Sequence, residues 1–327
     1  MWDVPYKVQL TSIWFGVALA VMVTGSFVIT MWLFRGATQA SRDEPKTIRR
    51  RFASTILVSA VSMWAVVFVQ PNDTVSRLQH ATEVATPLRR LGLVFAPYML
   101  DVAYTMCLNS CLFLGPLVLL CCEGWARRQR DVGRAGAATR DADNVDNQAA
   151  CVSQSGSLLT TKGQAAENDG RQLLKLLRTY VVGPVTEEVV YRSAACYFLY
   201  FSGMSHTGTF LTSSGLFSLA HAHHLFELMY QEGIPLQQAL FPVMFQMTFT
   251  FIFGMYGCYI YMGTGSLLCA VLLHTYCNWL GPPDFSFLGE PHAALVGTAY
   301  IVGLAAFWCI FFRFDLGLWS GSIFYLQ

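Results

Sequence analysis

Apolar stretches about twenty residues long recur along the whole of this chain, and they fix its solvent before anything else is known. Twenty residues of helix rise about 30 Å, the thickness of a bilayer's hydrocarbon core. Eight such stretches are read, at about 10–34, 52–70, 102–122, 180–201, 208–230, 236–261, 265–281 and 293–313. Composition agrees, with 54% of residues hydrophobic and 13% charged against about 25% charged in soluble domains. The runs are spread rather than clustered, so the expectation is one all-α, polytopic membrane domain over 1–327, a bundle of about eight transmembrane helices. The first run is too long for the apolar region of a signal peptide and no clear cleavage site follows it, so it reads as a retained span. A net charge of +1 gives no sign of a nucleic-acid partner. The ten cysteines form no CxxC pair, and most, including Cys107, Cys111, Cys196, Cys258, Cys269, Cys277 and Cys309, sit in apolar runs as small buried hydrophobes.

One composition shift interrupts the pattern. Residues 127–170 are rich in Ala, Gly, Ser, Asn, Asp and Arg and nearly free of aromatics. A segment like that cannot bury enough apolar surface to fold alone, so it reads as a disordered or loosely ordered cytosolic loop. The following stretch, Arg171 to Arg178, alternates apolar and basic residues at helical spacing and reads as a short interfacial helix. Leu88 to Leu100 is mixed in character and is expected along the interface. Basic residues crowd the loops after the first and third spans, while the loops after the fourth to seventh carry no Lys or Arg. The positive-inside rule then places the two basic loops in the cytosol and, with eight spans, both termini on the other side.

Against this apolar background the polar residues stand out, because an ionised group at membrane depth costs several kcal/mol unless paired or hydrated. Glu187 and Glu188 lie near the start of the fourth span, His221, His223 and His224 past the middle of the fifth, and His274 and Asn278 towards the end of the seventh. On the deduced orientation all three groups fall in the cytosolic half of the bundle. Glu188 and Arg192 are four residues apart and share a helix face, so they can pair. Glu187 is turned about 100° away and has no local partner. His274 and Asn278 are also four apart, able to donate into the bundle interior.

An unpaired Glu near a His is what water activation needs, and a second His beside an Asn amide is what an oxyanion needs. Other readings compete. Glu188–Arg192 works equally well as packing glue, and buried His and Asn serve as interhelical hydrogen bonds in a non-catalytic scaffold. His223 and His224 suit a wet helix end; His80, His206 and His292 fall in loops, and Asp101 and Glu227 near the interface. The aromatics of the sixth span, among them Phe241, Phe245 and Phe253, fit lipid-facing or core positions. Three ligands for a catalytic zinc could be found among these residues, but HExxH is absent, and no GxSxG-type signature marks a serine nucleophile.

Taken together, the motifs resemble the type II CAAX prenyl endopeptidases. That family's Glu-Glu-x-x-x-Arg is matched by Glu187, Glu188 and Arg192, its Phe-x-x-Ala-His by Phe217 to His221, and its His-x-x-x-Asn by His274 and Asn278. The lead-in Gly183 to Thr186 and the stretch from Arg42 to Arg51 also look like eukaryotic members. The resemblance covers about 40–70 and, more strongly, 175–285. It implies a multi-pass protease of the endoplasmic reticulum membrane, with its active site open to the cytosol. Its substrates would be farnesylated or geranylgeranylated CAAX proteins such as Ras-like small GTPases, trimmed of their last three residues. By the family pattern Glu187 and His221 activate water, His274 and Asn278 form the oxyanion hole, and Glu188 and Arg192 shape the site. No metal or other cofactor is implied.

Overall fold

The structure, a computed structural model, describes residues 8–33, 43–72, 86–93, 99–124, 169–230, 232–282, 285–313 and 322–325. The loop expected at 127–170 lies outside the described residues except at its end, where 169–170 are already helical. Along the chain come β1 (Val8–Gln9), α1 (Ile13–Leu33), α2 (Pro45–Phe68), β2 (Val69–Gln70), α3 (Pro87–Arg90), α4 (Met99–Leu112) and α5 (Leu114–Gly124). A long helical run, α6, covers 169–201. Then follow α7 (His206–Ala220), α8 (His223–Tyr230), α9 (Leu236–Thr264), α10 (Leu267–Leu280), a 3₁₀ turn (Ser286–Gly289) and α11 (Ala293–Phe311). The two short strands pair in parallel, Val8 beside Val69, and are the strands present among the described residues.

The all-α membrane fold is therefore present, but its spans are not eight uniform rods. Four helices, α1, α2, α9 and α11, are each long and apolar enough to cross a bilayer, and α4 with α5 makes a fifth if that pair is one broken span. The α4–α5 pair bends by 70°. Pro116 explains the break: it has no N–H to offer the Leu112 carbonyl and its ring would collide with that carbonyl in a continuous helix. The expected fifth span is also interrupted. It stops at Ala220 and restarts at His223. Here imidazoles take carbonyls that a continuing helix would use, His221 Nδ1 donating to Phe217 O (2.9 Å) and His223 Nδ1 to Ala220 O. The seventh expected span, α10, is apolar but only 14 residues long.

The described residues form two compact units, one of 1–106, 173–279 and 314–327, the other of 107–172 and 280–313. In the first, the second half of α6 is the axis: every residue from Val189 to Leu199 is buried. Around it packs a cluster that includes Leu10, Val66, Tyr197, Phe201, Tyr261, Met262 and Phe324. Trp14, Trp64, Phe241 and Ile252 point outward, as lipid-facing side chains do. In the second unit, Leu119, Phe287 and Val296 form a small core. There Gly303 lies directly against the Cys111 carbonyl, where a Cβ would have no room.

At the level of single residues, burial departs from a simple reading of the sequence. In the segment after Leu88, Leu91 is buried, and Arg90 is buried with its guanidinium on Val69 O (3.3 Å) and Gln70 Oε1 (3.0 Å). Anchoring to the end of α2 draws it inward. Asp101 and Glu227, expected near the interface, are buried, Glu227 against His224. Cys107 and Cys309 are exposed, whereas Cys196, Cys258 and Cys269 are buried as expected.

Candidate active site

The site is built on an irregularity in α6. The run is π-helical over Arg178–Val182, α-helical over Gly183–Glu188, π-helical again over Val189–Cys196, and α-helical over Tyr197–Phe201. Wide turns of this kind appear mostly as local insertions at functional sites. Here they flank the two glutamates. The first wide turn also leaves carbonyls for side chains of α10: Asn278 Nδ2 donates to Thr179 O at 2.9 Å and Thr275 Oγ1 to Tyr180 O at 3.0 Å. On the other flank, Ser59 of α2 donates to Thr186 O at 3.3 Å. The glutamate-bearing turn is thus fixed from two sides by side chains far away in sequence.

Glu188 is fully buried and serves two partners. Its Oε2 lies 3.1 Å from Arg192 Nε, and its Oε1 accepts from His274 Nδ1 at 2.8 Å. The first contact is an ion pair whose alignment falls short of a hydrogen bond, so it is read as Coulombic. Arg192 is equally buried, stands 4.8 Å over the Phe217 ring, and makes no hydrogen bond through Nη1 or Nη2 among the described residues. Gly257 of α9 makes room for it, since a Cβ there would sit 3.0 Å from the guanidinium nitrogens. The i, i+4 pair read from the sequence is therefore present, and His274 makes it a triad.

Glu187 is the more open carboxylate, with 24% of its side chain exposed. Its Oε2 lies 3.7 Å from His274 Nε2. Glu187, His221 and Asn278 line one cavity of about 290 Å³, together with Tyr191, Phe217 and Arg51 among others. His221 presents a defined tautomer: a carbonyl only accepts, so the bond to Phe217 O makes Nδ1 the protonated nitrogen and leaves Nε2 as an acceptor. His274 lies on Glu187 and Glu188 rather than beside Asn278 on an open wall, with its ring against Phe253 at 5.3 Å and Phe217 at 6.1 Å. Asn278 is exposed towards the cavity.

The structure thus gathers all four residues expected to be catalytic and both expected to support them. Sequence reasoning missed the aromatic floor of Phe217 and Phe253, the Thr179 anchor and the Gly257 gap. Only the last had a legible signal: Gly254 and Gly257, three apart on an apolar helix, mark a close approach, and a Cβ on them would meet Ser214 and Arg192. A further titratable group adjoins the site, with donor atoms of His223, His224 and Glu227 all within 4.8 Å of one another.

Residues 169–280, the stretch holding Glu187, Glu188, Arg192, His221, His274 and Asn278, match the family profile described as Type II CAAX prenyl endopeptidase Rce1-like. The match takes in about a third of the chain. The chain is similar to CAAX prenyl protease 2 of Homo sapiens, 26% identical over 90% of this chain and 79% of the relative. It is also similar to CAAX prenyl protease 2 of Arabidopsis thaliana, 32% identical over 41% of this chain and 42% of the relative. With CAAX prenyl protease 2 of Caenorhabditis elegans the identity is 22% over 86% of this chain and 91% of the relative. No solved structure matches. The profile and these relatives are named for prenyl proteases, and by that likeness the chain is a protease.

Proposed function

We propose that the chain is an intramembrane endopeptidase that removes the C-terminal tripeptide from farnesylated or geranylgeranylated CAAX proteins, Ras-like small GTPases among them. It acts on the cytosolic face of the endoplasmic reticulum membrane. The observation that carries this reading is the shared cavity: Glu187, His221 and Asn278 reach it from three separate helical elements, with His274 against Glu187.

In the proposed reaction Glu187 takes a proton from a water oriented by His221 Nε2, and the water oxygen attacks the carbonyl of the prenylated cysteine. The negative charge that develops on the carbonyl oxygen is met by the second Nδ2 hydrogen of Asn278 and by His274 Nε2, a ring that donates from both nitrogens since its Nδ1–H is already held by Glu188. Collapse of the tetrahedral species breaks the C–N bond, and the proton held by Glu187 passes to the leaving amine. Glu188 and Arg192 hold His274 without touching substrate. Phe27, Phe52 and Phe217 give the cavity apolar walls, suited to a prenyl chain entering between helices from the lipid. The deciding experiment is cleavage of prenylated and unprenylated CAAX peptides by purified protein. Wild type should cleave the prenylated peptide and Glu187→Ala should not, with unchanged thermal unfolding; full activity in the variant would sink the reading.

A further inference from the structure

The cavity's lining carries a second cluster that the proposed reaction does not use. His223 and His224 open α8 and line the cavity, while Glu227 lies one turn on and is buried. Donor atoms from the three are all within 4.8 Å of one another, the two rings lie 4.1 Å apart, and His224 Nδ1 is 2.6 Å from Glu227 Oε2. A lone cluster of this kind is most often just a hydrogen-bonded helix start. Two features set this one apart. The backbone carbonyl of Ala220 accepts from His223 Nδ1, which fixes that ring in the tautomer whose Nε2 carries a lone pair. A backbone carbonyl behind Nδ1 is the usual outer support of a metal-ligating imidazole. The ligand set itself, two imidazoles and one carboxylate, is the one that suits a borderline-soft divalent ion such as zinc.

We infer that His223, His224 and Glu227 bind one divalent transition-metal ion of the zinc class, at a site beside the catalytic residues and separate from them. Ligand atoms on a tetrahedral zinc at about 2.1 Å lie roughly 3.4 Å apart. The His224–Glu227 contact therefore opens slightly and the His223 nitrogen closes in, both within reach of side-chain rotation. On the proteolytic reading proposed above, an ion there fills space the substrate needs and stands near His221, whose ring is 6.0 Å from that of His224. Metal binding then slows cleavage rather than supporting it.

The test is titration of the purified full-length chain in detergent with Zn²⁺, read by competition with a chromophoric zinc indicator and by the shift in thermal unfolding midpoint. Wild type should bind one ion per chain at micromolar or lower concentration. Glu227→Gln and His223→Ala should each weaken binding tenfold or more and lose the thermal shift. Saturable binding unchanged in both variants, or none below millimolar zinc in wild type, overturns the site. If Glu227→Gln fails to fold, the partly exposed His223→Ala decides. A second arm measures cleavage of a prenylated peptide with and without Zn²⁺, where Glu227→Gln should keep activity in metal that inhibits wild type. If wild type cleaves nothing even without metal, the proteolytic reading fails while the binding arm still judges the site.

Discussion

Glu188 shows how much one buried carboxylate can organise. It is fully buried yet meets a guanidinium on one oxygen and an imidazole on the other. Removing one partner of such a pair leaves a charge stranded in a dry interior, which costs about 3–5 kcal/mol. Arg192→Met should therefore lower the unfolding midpoint in detergent strongly, while Glu188→Gln with Arg192→Met together should recover much of the loss; equal midpoints for wild type and Arg192→Met would refute the pairing. On the proposed reaction, His221→Ala and Asn278→Ala should behave otherwise, each lowering kcat on a prenylated peptide by roughly 100-fold or more, as loss of a water-orienting group or an oxyanion donor does, with the midpoint little changed for His221→Ala and modestly lowered for Asn278→Ala, which also loses its bond to Thr179 O. The i, i+4 link of Glu188 to Arg192 could be read directly from spacing. The link of His274 to Glu188 could not, because 86 residues separate them and only the packing of α10 on α6 brings them together.

At the scale of elements, the helices that were legible were those whose period nothing disturbs. α1 and α11 appear close to where their apolar runs begin and end. What stayed hidden were departures produced by side chains competing with the backbone: the stop at Ala220, set by histidines, and the wide turns of α6, which no residue type announces. The break at Pro116 had a signal, a Gly-Pro step inside an apolar run. Elements are also tied by charge outside the membrane. Asp43, just before α2, meets Lys175 Nζ at 2.8 Å and Arg178 Nη1 at 3.1 Å on the first part of α6. The hydrogen bond from Lys175, with help from Arg178, holds the Asp43 carboxyl below its ordinary value despite some burial. A lowered folded-state value means that this contact stabilises above the unfolded pKa of about 4 and that its contribution fades as pH falls through the folded value. Because the pair is half exposed, its worth is at most about 1 kcal/mol. Asp43→Asn should lower the unfolding midpoint slightly at pH 7 and by progressively less as pH falls below about 4; an equal deficit throughout would remove the ion pair from the account.

For the molecule as a whole, membrane residence is written in the outward side chains. Ile301 is 72% exposed in the middle of α11, and Trp64 63% exposed in α2, both on helices long and apolar enough to cross a bilayer and so suited to facing lipid. An arginine at the centre of a span costs about 2.5–3.5 kcal/mol of insertion free energy. Ile301→Arg should visibly reduce the inserted fraction in a glycosylation-reporter assay, whereas a substitution to Leu should not; equal insertion would mean that α11 lies elsewhere. The broad architecture was legible because hydropathy alone separates lipid-facing from aqueous chain. The distribution of partners within the interior was not, since an apolar run says nothing of which neighbour it will meet.

The wide turn over Val189–Cys196 carries a further consequence. A π-helical turn holds one residue more than the α-helical turn it replaces, so it is a phase shift in the helix. Deleting a single residue from it, such as Ala194 or Ala195, would let α6 relax into regular α geometry. The helix would gain order and backbone bonding, and the segments on either side would keep their mutual facing, because only the extra residue of the turn is lost. What would change is the aim of the side chains inside the turn, Arg192 among them. Such a shortened chain would be better formed as a helix and worse as a catalyst: the imperfection sets where Arg192 stands against Glu188.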